Sequence, residues 1–186
     1  GARLVGVPRL GDTVSTFFRA AALAPLAAAS PGWMFRFVGG ATLVAIDGHD
    51  DWLIHTPVPS GETRDGYDPE PAIFRAIGHP FPYEVLGRAR WTPRAMVATK
   101  FREGRVFLAG DAAHLWIPMG GFGMNAGMVD AVSLSWRLAG VLDGTLDPRI
   151  LDSYERERAP LGAMVARQAA AWGAELRPLM QTSPER

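Results

Sequence analysis

The stretch Gly104-Arg-Val-Phe-Leu-Ala-Gly110-Asp111-Ala-Ala-His114, continued by Leu-Trp-Ile-Pro118-Met-Gly120-Gly121-Phe122-Gly123-Met124-Asn125, reads as a strand, two turns and the start of a helix. Arg105 to Ala109 is a compact apolar run, the pattern of a buried strand. Such a strand would deliver one carboxylate, Asp111, at its C-terminal end, the edge where ligands of open α/β sheets collect. A carboxylate there accepts hydrogen bonds from hydroxyls and suits a sugar or polyol chain. Pro118 then restricts the backbone. Three glycines in four positions, Gly120, Gly121 and Gly123, let the main chain approach a flat ligand closely. The helix that follows offers unpaired N–H groups and a positive dipole end, which together hold a phosphate or a delocalised anion.

Downstream of this stretch the apolar period is about 3.6. Met124, Met128, Val132, Trp136 or Leu134, Leu138 and Val141 recur at helical spacing, and Asp143-Gly144 closes that helix. Asp147 as N-cap with Pro148 behind it starts a second helix to about Arg158. Pro160 is expected to interrupt it. A third helix then runs to about Leu176, with a frayed tail from Pro178. Upstream, short strands alternate with turns. Thr13 to Arg19, Trp33 to Val38, Ala41 to Ile46, Trp52 to Thr56, Tyr83 to Thr92 and Arg94 to Phe101 carry the apolar and β-branched residues. Gly39-Gly40 and Asp47-Gly48 punctuate them as hairpin turns. Pro25 to Gly32 is a short helix or a loop, Pro57 to Pro71 is a loop by its prolines and glycines, and Glu70 to Ile77 a short helix. The expected boundary between the β-rich and helical parts lies near Trp91 to Arg94.

The 186 residues suffice for a sizeable core. With 48% hydrophobic and 20% charged residues the composition is that of a globular protein. Net charge is zero and no basic stripe stands out, which argues against nucleic acid and membrane surfaces as partners and leaves a homo-oligomer open. The absence of cysteine excludes a disulfide framework, a thiolate zinc site and a cysteine nucleophile, and fits a cytoplasmic location. No signal-peptide pattern and no initiator Met are present, so the chain is expected to begin partway through a longer one. The sequence holds no Gly-x-Ser-x-Gly elbow, P-loop or His-Glu-x-x-His, which removes support for a hydrolase, nucleotidase or zinc enzyme.

The run Gly-Arg-Val-Phe-Leu-Ala-Gly-Asp-Ala-Ala-His, followed by Pro118 and Gly-Gly-Phe-Gly-Met-Asn, resembles the second FAD motif of the para-hydroxybenzoate hydroxylase family, the class A flavoprotein monooxygenases. It is most similar to members acting on polyketides and phenols. The likeness continues through Asp130-Ala131, Trp136-Arg137-Leu138-Ala139 and Leu151-Asp-Ser-Tyr154-Glu-Arg-Glu-Arg158-Ala-Pro160. A weaker likeness to the family's substrate-binding sheet runs through Phe17-Phe18-Arg19 and Ala45-Ile46-Asp47-Gly48. The resemblance implies an α/β protein, more narrowly an α+β fragment. Residues 1–93 would form an antiparallel substrate-domain sheet. Residues 94–186 would form the C-terminal strand and helices of an FAD-binding domain whose N-terminal Rossmann unit is missing.

The resemblance also implies site residues. Gly110 and Asp111 would hold the ribityl chain of FAD, with Pro118 near the reactive face of the ring. Gly120, Gly121, Phe122, Gly123, Met124 and Asn125 would line the isoalloxazine, the last two at its pyrimidine edge. The family usually carries a second proline where this chain has Ile117. NAD(P)H would be the electron donor, O2 the co-substrate and a small aromatic molecule the substrate. No catalytic side chain is assigned and no metal is expected, since His49, His55 and His79 lack ligand spacing. His114 reads as structural rather than as an acid or base. Asp50-Asp51 reads as a solvated turn, Glu155 to Arg158 as a solvated helix face, and the Met124, Met128 and Trp136 stripe as core, as do Trp33, Trp52 and Trp91. The alternative to an oxygenase is a non-catalytic remnant or a partner subunit that needs the missing N-terminal half.

Overall fold

The structure is a computed structural model, and it describes residues 1–29 and 32–181. In chain order the elements are β1 (Leu4–Val7), β2 (Thr13–Arg19), α1 (Ala24–Ala29), β3 (Met34–Arg36), β4 (Thr42–Ala45), β5 (Asp51–Pro57), α2 (Glu70–Ile77), β6 (Glu84–Trp91), β7 (Ala95–Ala98), β8 (Arg102–Glu103), β9 (Val106–Phe107), β10 (His114–Leu115), α3 (Phe122–Leu142) and α4 (Leu151–Gln181). The chain divides into two compact units, one of Gly1–Leu10 with Pro93–Ala174 and one of Gly11–Thr92 with Glu175–Arg186.

The second unit is built on a five-stranded antiparallel sheet in the order β3-β4-β5-β2-β6. Period-two alternation decides its faces. Val14, Thr16 and Phe18 on β2 stand opposite Thr56, Ile54 and Trp52 on β5. All six are fully buried. Phe18, Leu43, Trp52 and Ile54 pack with Ile73 of α2 into one apolar core. The indole of Trp52 satisfies its N–H by donating to the Ala20 carbonyl at 3.2 Å. Helix α2 has Pro71 in its first turn and ends at Gly78, whose φ of 98° lets its N–H close on the Phe74 carbonyl at 2.8 Å. The opposite sheet face carries a polar cluster. Trp91 Nε1 donates to Ser15 Oγ at 2.8 Å, and Ser15 Oγ lies 2.7 Å from His55 Nδ1. Trp33 is 67% exposed, so of the three tryptophans expected in the core Trp52 alone is fully buried.

In the first unit β7 is the centre of a three-stranded sheet, flanked by β1 and β10. Both pairings are antiparallel. Residues 1–10 therefore pair with the helical half, whereas the sequence reading grouped them with the strands that follow. Three further expectations are corrected here. The run Arg105 to Ala109 is not a buried strand. Only Val106 and Phe107 are extended, in a two-stranded hairpin with β8, and Val106 is 65% exposed. A buried strand needs partners on both edges, and among the described residues β9 has one.

Pro160 does not interrupt its helix either. α4 continues for 31 residues to Gln181, through Pro178 as well. Pro160 lies on the exposed side of α4, where the Arg156 carbonyl freed by the missing N–H can be hydrated, while Tyr154, Arg158, Ala166 and Ala169 are buried. Residues 182–186 of the expected frayed tail lie outside the described residues. The Met124, Met128, Val132 and Trp136 stripe is not core. These side chains are 47–69% exposed, and the buried residues of α3 are Asp130, Arg137 and Gly140.

Two outcomes follow for the sheet unit. Ile54→Ala should lower unfolding stability by roughly 2–5 kcal/mol in urea titrations, the usual cost of truncating a buried aliphatic side chain. Burial also holds the His55 imidazole below its ordinary value of 6.5. The unfolded imidazole then takes up its proton first as pH falls, so this contribution to stability is complete above about 6.5 and is lost below it. Between about pH 7.5 and about pH 5.5 the wild-type melting temperature should therefore fall further than that of His55→Gln.

Candidate functional site

The residues expected to hold a ligand fall on two turns that abut helix α3. Gly110 and Asp111 open a short 3-10 turn, Gly110–Ala112. Pro118 precedes a second such turn, Met119–Gly121, and Phe122 to Asn125 form the first turn of α3. Gly110, Gly120 and Gly121 have φ of 56°, 80° and 68°, the left-handed region that favours glycine. At Gly120 the constraint is doubled, because a Cβ would lie 2.6 Å from Phe122 Cε2 and 2.9 Å from Trp172 Cζ3. Phe122 stacks on Trp172 of α4 with centroids 5.6 Å apart, which ties the second turn to that helix.

The first turn is fixed from below by a cluster that the sequence reading did not assign. Asp130 is fully buried on α3. Its Oδ2 accepts the Gly110 N–H at 2.9 Å and lies 2.7 Å from His114 Nε2. Its Oδ1 accepts Arg158 Nε–H from α4 at 2.6 Å. His114 Nδ1, on the other side of the ring, is buried and has no hydrogen-bond partner among the described residues. Trp116 stacks flat on the imidazole at 4.1 Å. A Cβ on Gly110 would approach Gly127 Cα at 3.7 Å, so turn and helix meet backbone to backbone. Breaking a buried pair such as Asp130–Arg158 by removing one partner costs roughly 3–5 kcal/mol.

Helix α4 is held to its surroundings in the same polar way. Arg137 donates through Nε to Ser153 Oγ at 2.8 Å and pairs with Glu157 at 2.6 Å. Glu155 accepts the Phe101 and Arg102 amides at 2.6 and 2.9 Å. Tyr154 donates its hydroxyl to the Leu108 carbonyl at 2.7 Å. Burial, with Asp130 nearby, pushes that phenol up to about 12. Glu155 and Arg158 therefore anchor the helix, while Arg156 and Glu157 between them are exposed, as expected of a solvated face. The i, i+4 spacing of Tyr154 and Arg158, which puts both on one helix face, was the available signal.

The exposed side of the site has the donor and acceptor set that a flavin requires. Asp111 is exposed, and its carboxylate bonds to no group among the described residues. The α3 N-terminus has no side-chain cap, so its first amides are free to donate outward. Asn125 Nδ2 turns back to the Gly121 carbonyl at 3.0 Å and stiffens the turn. Open space lies over the Cβ directions of Gly121 and Gly123, which leaves the main chain accessible to a flat ring. A carboxylate for hydroxyls, outward amides and an unshielded glycine backbone fit the ribityl chain and the pyrimidine edge of an isoalloxazine. Among the described residues, Asp47, Asp50 and Asp51 of the sheet unit form a cluster of three carboxylates, and Asp51 there is engaged by Arg19 at 2.9 Å.

The family model described as "FAD binding domain" matches residues 72–169, more than half of the chain. The chain belongs to this FAD-binding family, and polyketide hydroxylases of two Streptomyces species are among its relatives. It is 32% identical over 178 residues to the FAD-dependent monooxygenase apdD of Emericella nidulans, covering 87% of this chain and 28% of that protein. It is 52% identical over 98 residues to the tetracenomycin A2 monooxygenase-dioxygenase of Streptomyces glaucescens, covering 52% of this chain and 18% of that one. The flavin-dependent monooxygenase PieE, solved with FAD and substrate, superposes on all of the chain with a TM-score of 0.85 and 26% identity, over 34% of its own length. Aklavinone-11 hydroxylase, solved with FAD and aklavinone, gives 0.80 and 30% identity, covering 94% of this chain and 34% of its own. The chain thus spans about a third or less of the proteins it matches. Among the described residues no helix is long and apolar enough to cross a membrane.

Gly120→Ala is expected to destabilise the helical unit by about 1–3 kcal/mol, because the new methyl group must displace Phe122 or Trp172 at an unfavourable φ. Gly123→Ala, where nothing lies within 4 Å, should cost much less. Paired thermal melts of the two variants check this contrast.

Proposed function

We propose that the chain is the flavin-holding C-terminal portion of an FAD-dependent monooxygenase that hydroxylates an aromatic or polyketide substrate with NAD(P)H and O2. One observation supports this above the rest: the unpartnered Asp111 carboxylate sits on a turn locked to the helix whose uncapped N-terminus follows the glycine run. Asp111 accepts hydrogen bonds from the ribityl hydroxyls. The amides of Phe122 to Met124 face the pyrimidine edge, with the Met124 and Asn125 side chains nearest to it, while Gly120, Gly121 and Gly123 let the ring lie close. Pro118 stands by the reactive face. A helix N-terminus favours negative charge by about 0.3–1 kcal/mol, and up to about 2 when partly buried, which tunes a cofactor and does not supply the catalysis. Bound flavin supplies the electron transfer and oxygen chemistry.

A second reading has its own support. The outward apolar stripe of α3, Met124, Met128, Val132 and Trp136, is the kind of exposed patch that a neighbouring element covers. On this reading the chain works only with a companion segment that carries the ADP-binding turn, and by itself it is a remnant or partner subunit.

The deciding measurement is a visible absorption titration of the chain with FAD. The proposal expects a bound-flavin spectrum and at least a tenfold weaker affinity in Asp111→Ala, a change of about 1.4 kcal/mol. Absence of binding at every FAD concentration would reject the isolated chain as a flavoprotein and favour the second reading.

A further inference from the structure

Asp130 is buried and bonds to the Gly110 amide, whereas Asp111 beside it in the chain is exposed, and nothing in the proposed cofactor contacts calls for Asp130. It is nonetheless where four separate elements converge. Helix α3 supplies the carboxylate, α4 supplies Arg158, β10 supplies His114 and the 3-10 turn supplies the Gly110 amide. Asp130 is fully buried, with His114 2% and Arg158 9% exposed. A carboxylate in the middle of a largely apolar helix is costly to bury unless each oxygen is satisfied, and here each is. The Arg158 bond would serve to anchor α4 alone. The Gly110 bond does something else, because it fixes the one amide that immediately precedes Asp111, at a residue with left-handed φ and in backbone contact with α3 at Gly127.

We propose that Asp130 is a positioning residue for the cofactor site: held by Arg158 and His114, it pins the Gly110 amide and so presents Asp111 to the polyhydroxyl chain of the ligand. The inference rests on the flavin reading of the Gly110–Asp111 turn and extends it to a residue that does not touch the ligand. The two oxygens divide the work. Oδ1 neutralises Arg158 and Oδ2 orders the turn.

That division makes the idea separable from a general packing role. In Asp130→Asn with Arg158→Met, the ion pair is gone but an amide oxygen remains to accept the Gly110 N–H. In Asp130→Leu with Arg158→Met, the pair is replaced by apolar groups of similar volume and the acceptor is lost. Exchange of such a pair for apolar residues is often neutral in stability. The Leu double also removes the acceptor that faces His114 Nε2 and the Gly110 N–H, so its melting temperature is expected to fall, and affinity is compared at a temperature where both doubles are folded. Amide hydrogen exchange of residues 109–112 and FAD affinity are measured on both, beside thermal melts.

The Asn double should keep wild-type protection at Gly110 and bind FAD within about threefold of wild type, whereas the Leu double should lose protection by more than about tenfold and bind at least about tenfold more weakly. Wild-type FAD affinity in the Leu double would overturn the proposal, as would equal losses in both doubles that follow their melting temperatures. A wild-type chain that binds no FAD would overturn the flavin reading and this inference with it. Binding by wild type and by the Leu double alike would overturn this inference alone.

Discussion

The carboxylate of Asp130 is the constraint around which the helical unit is organised. Burying it sets four requirements at once: a cation from α4, an imidazole from β10, an amide from the 3-10 turn, and glycines where turn and helix touch. A buried charge without partners is far more costly than a missed apolar contact, so no one of these groups can be removed alone without penalty. The rest of the interface between α3 and α4 follows the same logic. Arg137, Ser153 and Glu157 form one saturated group, and Glu155 caps two amides at the foot of β8. The most buried side chains of α3 are thus the polar Asp130 and Arg137, with Leu134 packed against the apolar core beside them, while Met124, Met128, Val132 and Trp136 are exposed.

The sheet unit rests on the opposite principle. Its inner face is mainly apolar, with Trp52, Phe18, Leu43, Ile54 and Ile73 in one cluster beside buried Thr16 and Thr56, and the buried Trp52 N–H is met by a backbone carbonyl. Polar groups collect on the other face, where Ser15 stands between Trp91 and His55. Hydrophobic alternation by itself can specify such a unit, since each strand needs only to know which side is wet.

This contrast explains which expectations held and which did not. The strands of the sheet unit were legible because alternation is local: β2, β4, β5 and β6 lie within the stretches expected for them to a residue or two. The start of α3 and the N-cap at Asp147, which accepts the Arg149 amide at 2.8 Å, were legible for the same reason, as capping depends on a few adjacent residues. The failures share a cause as well. Hydropathy alone places the stripe of α3 and the apolar run at Val106 in the core, and Glu155 and Arg158 in solvent. Hydropathy cannot tell a residue meant for a neighbouring element from one meant for its own core. Nor can it see that a buried Asp will draw an Arg inward across 28 positions.

What the amino-acid sequence determined by itself was the local grammar of the site: a carboxylate after a glycine, a glycine-rich turn, and a helix beginning directly behind it. Those features depend on backbone freedom and residue order, so they are readable without coordinates. The tertiary structure alone decided that the Gly110–Asp111 turn hangs from a buried carboxylate on α3, and that α4 runs unbroken past Pro160. The hydrogen bonds responsible join residues distant in the chain, and their strength comes from exclusion of water, a property of the folded interior that no local pattern records.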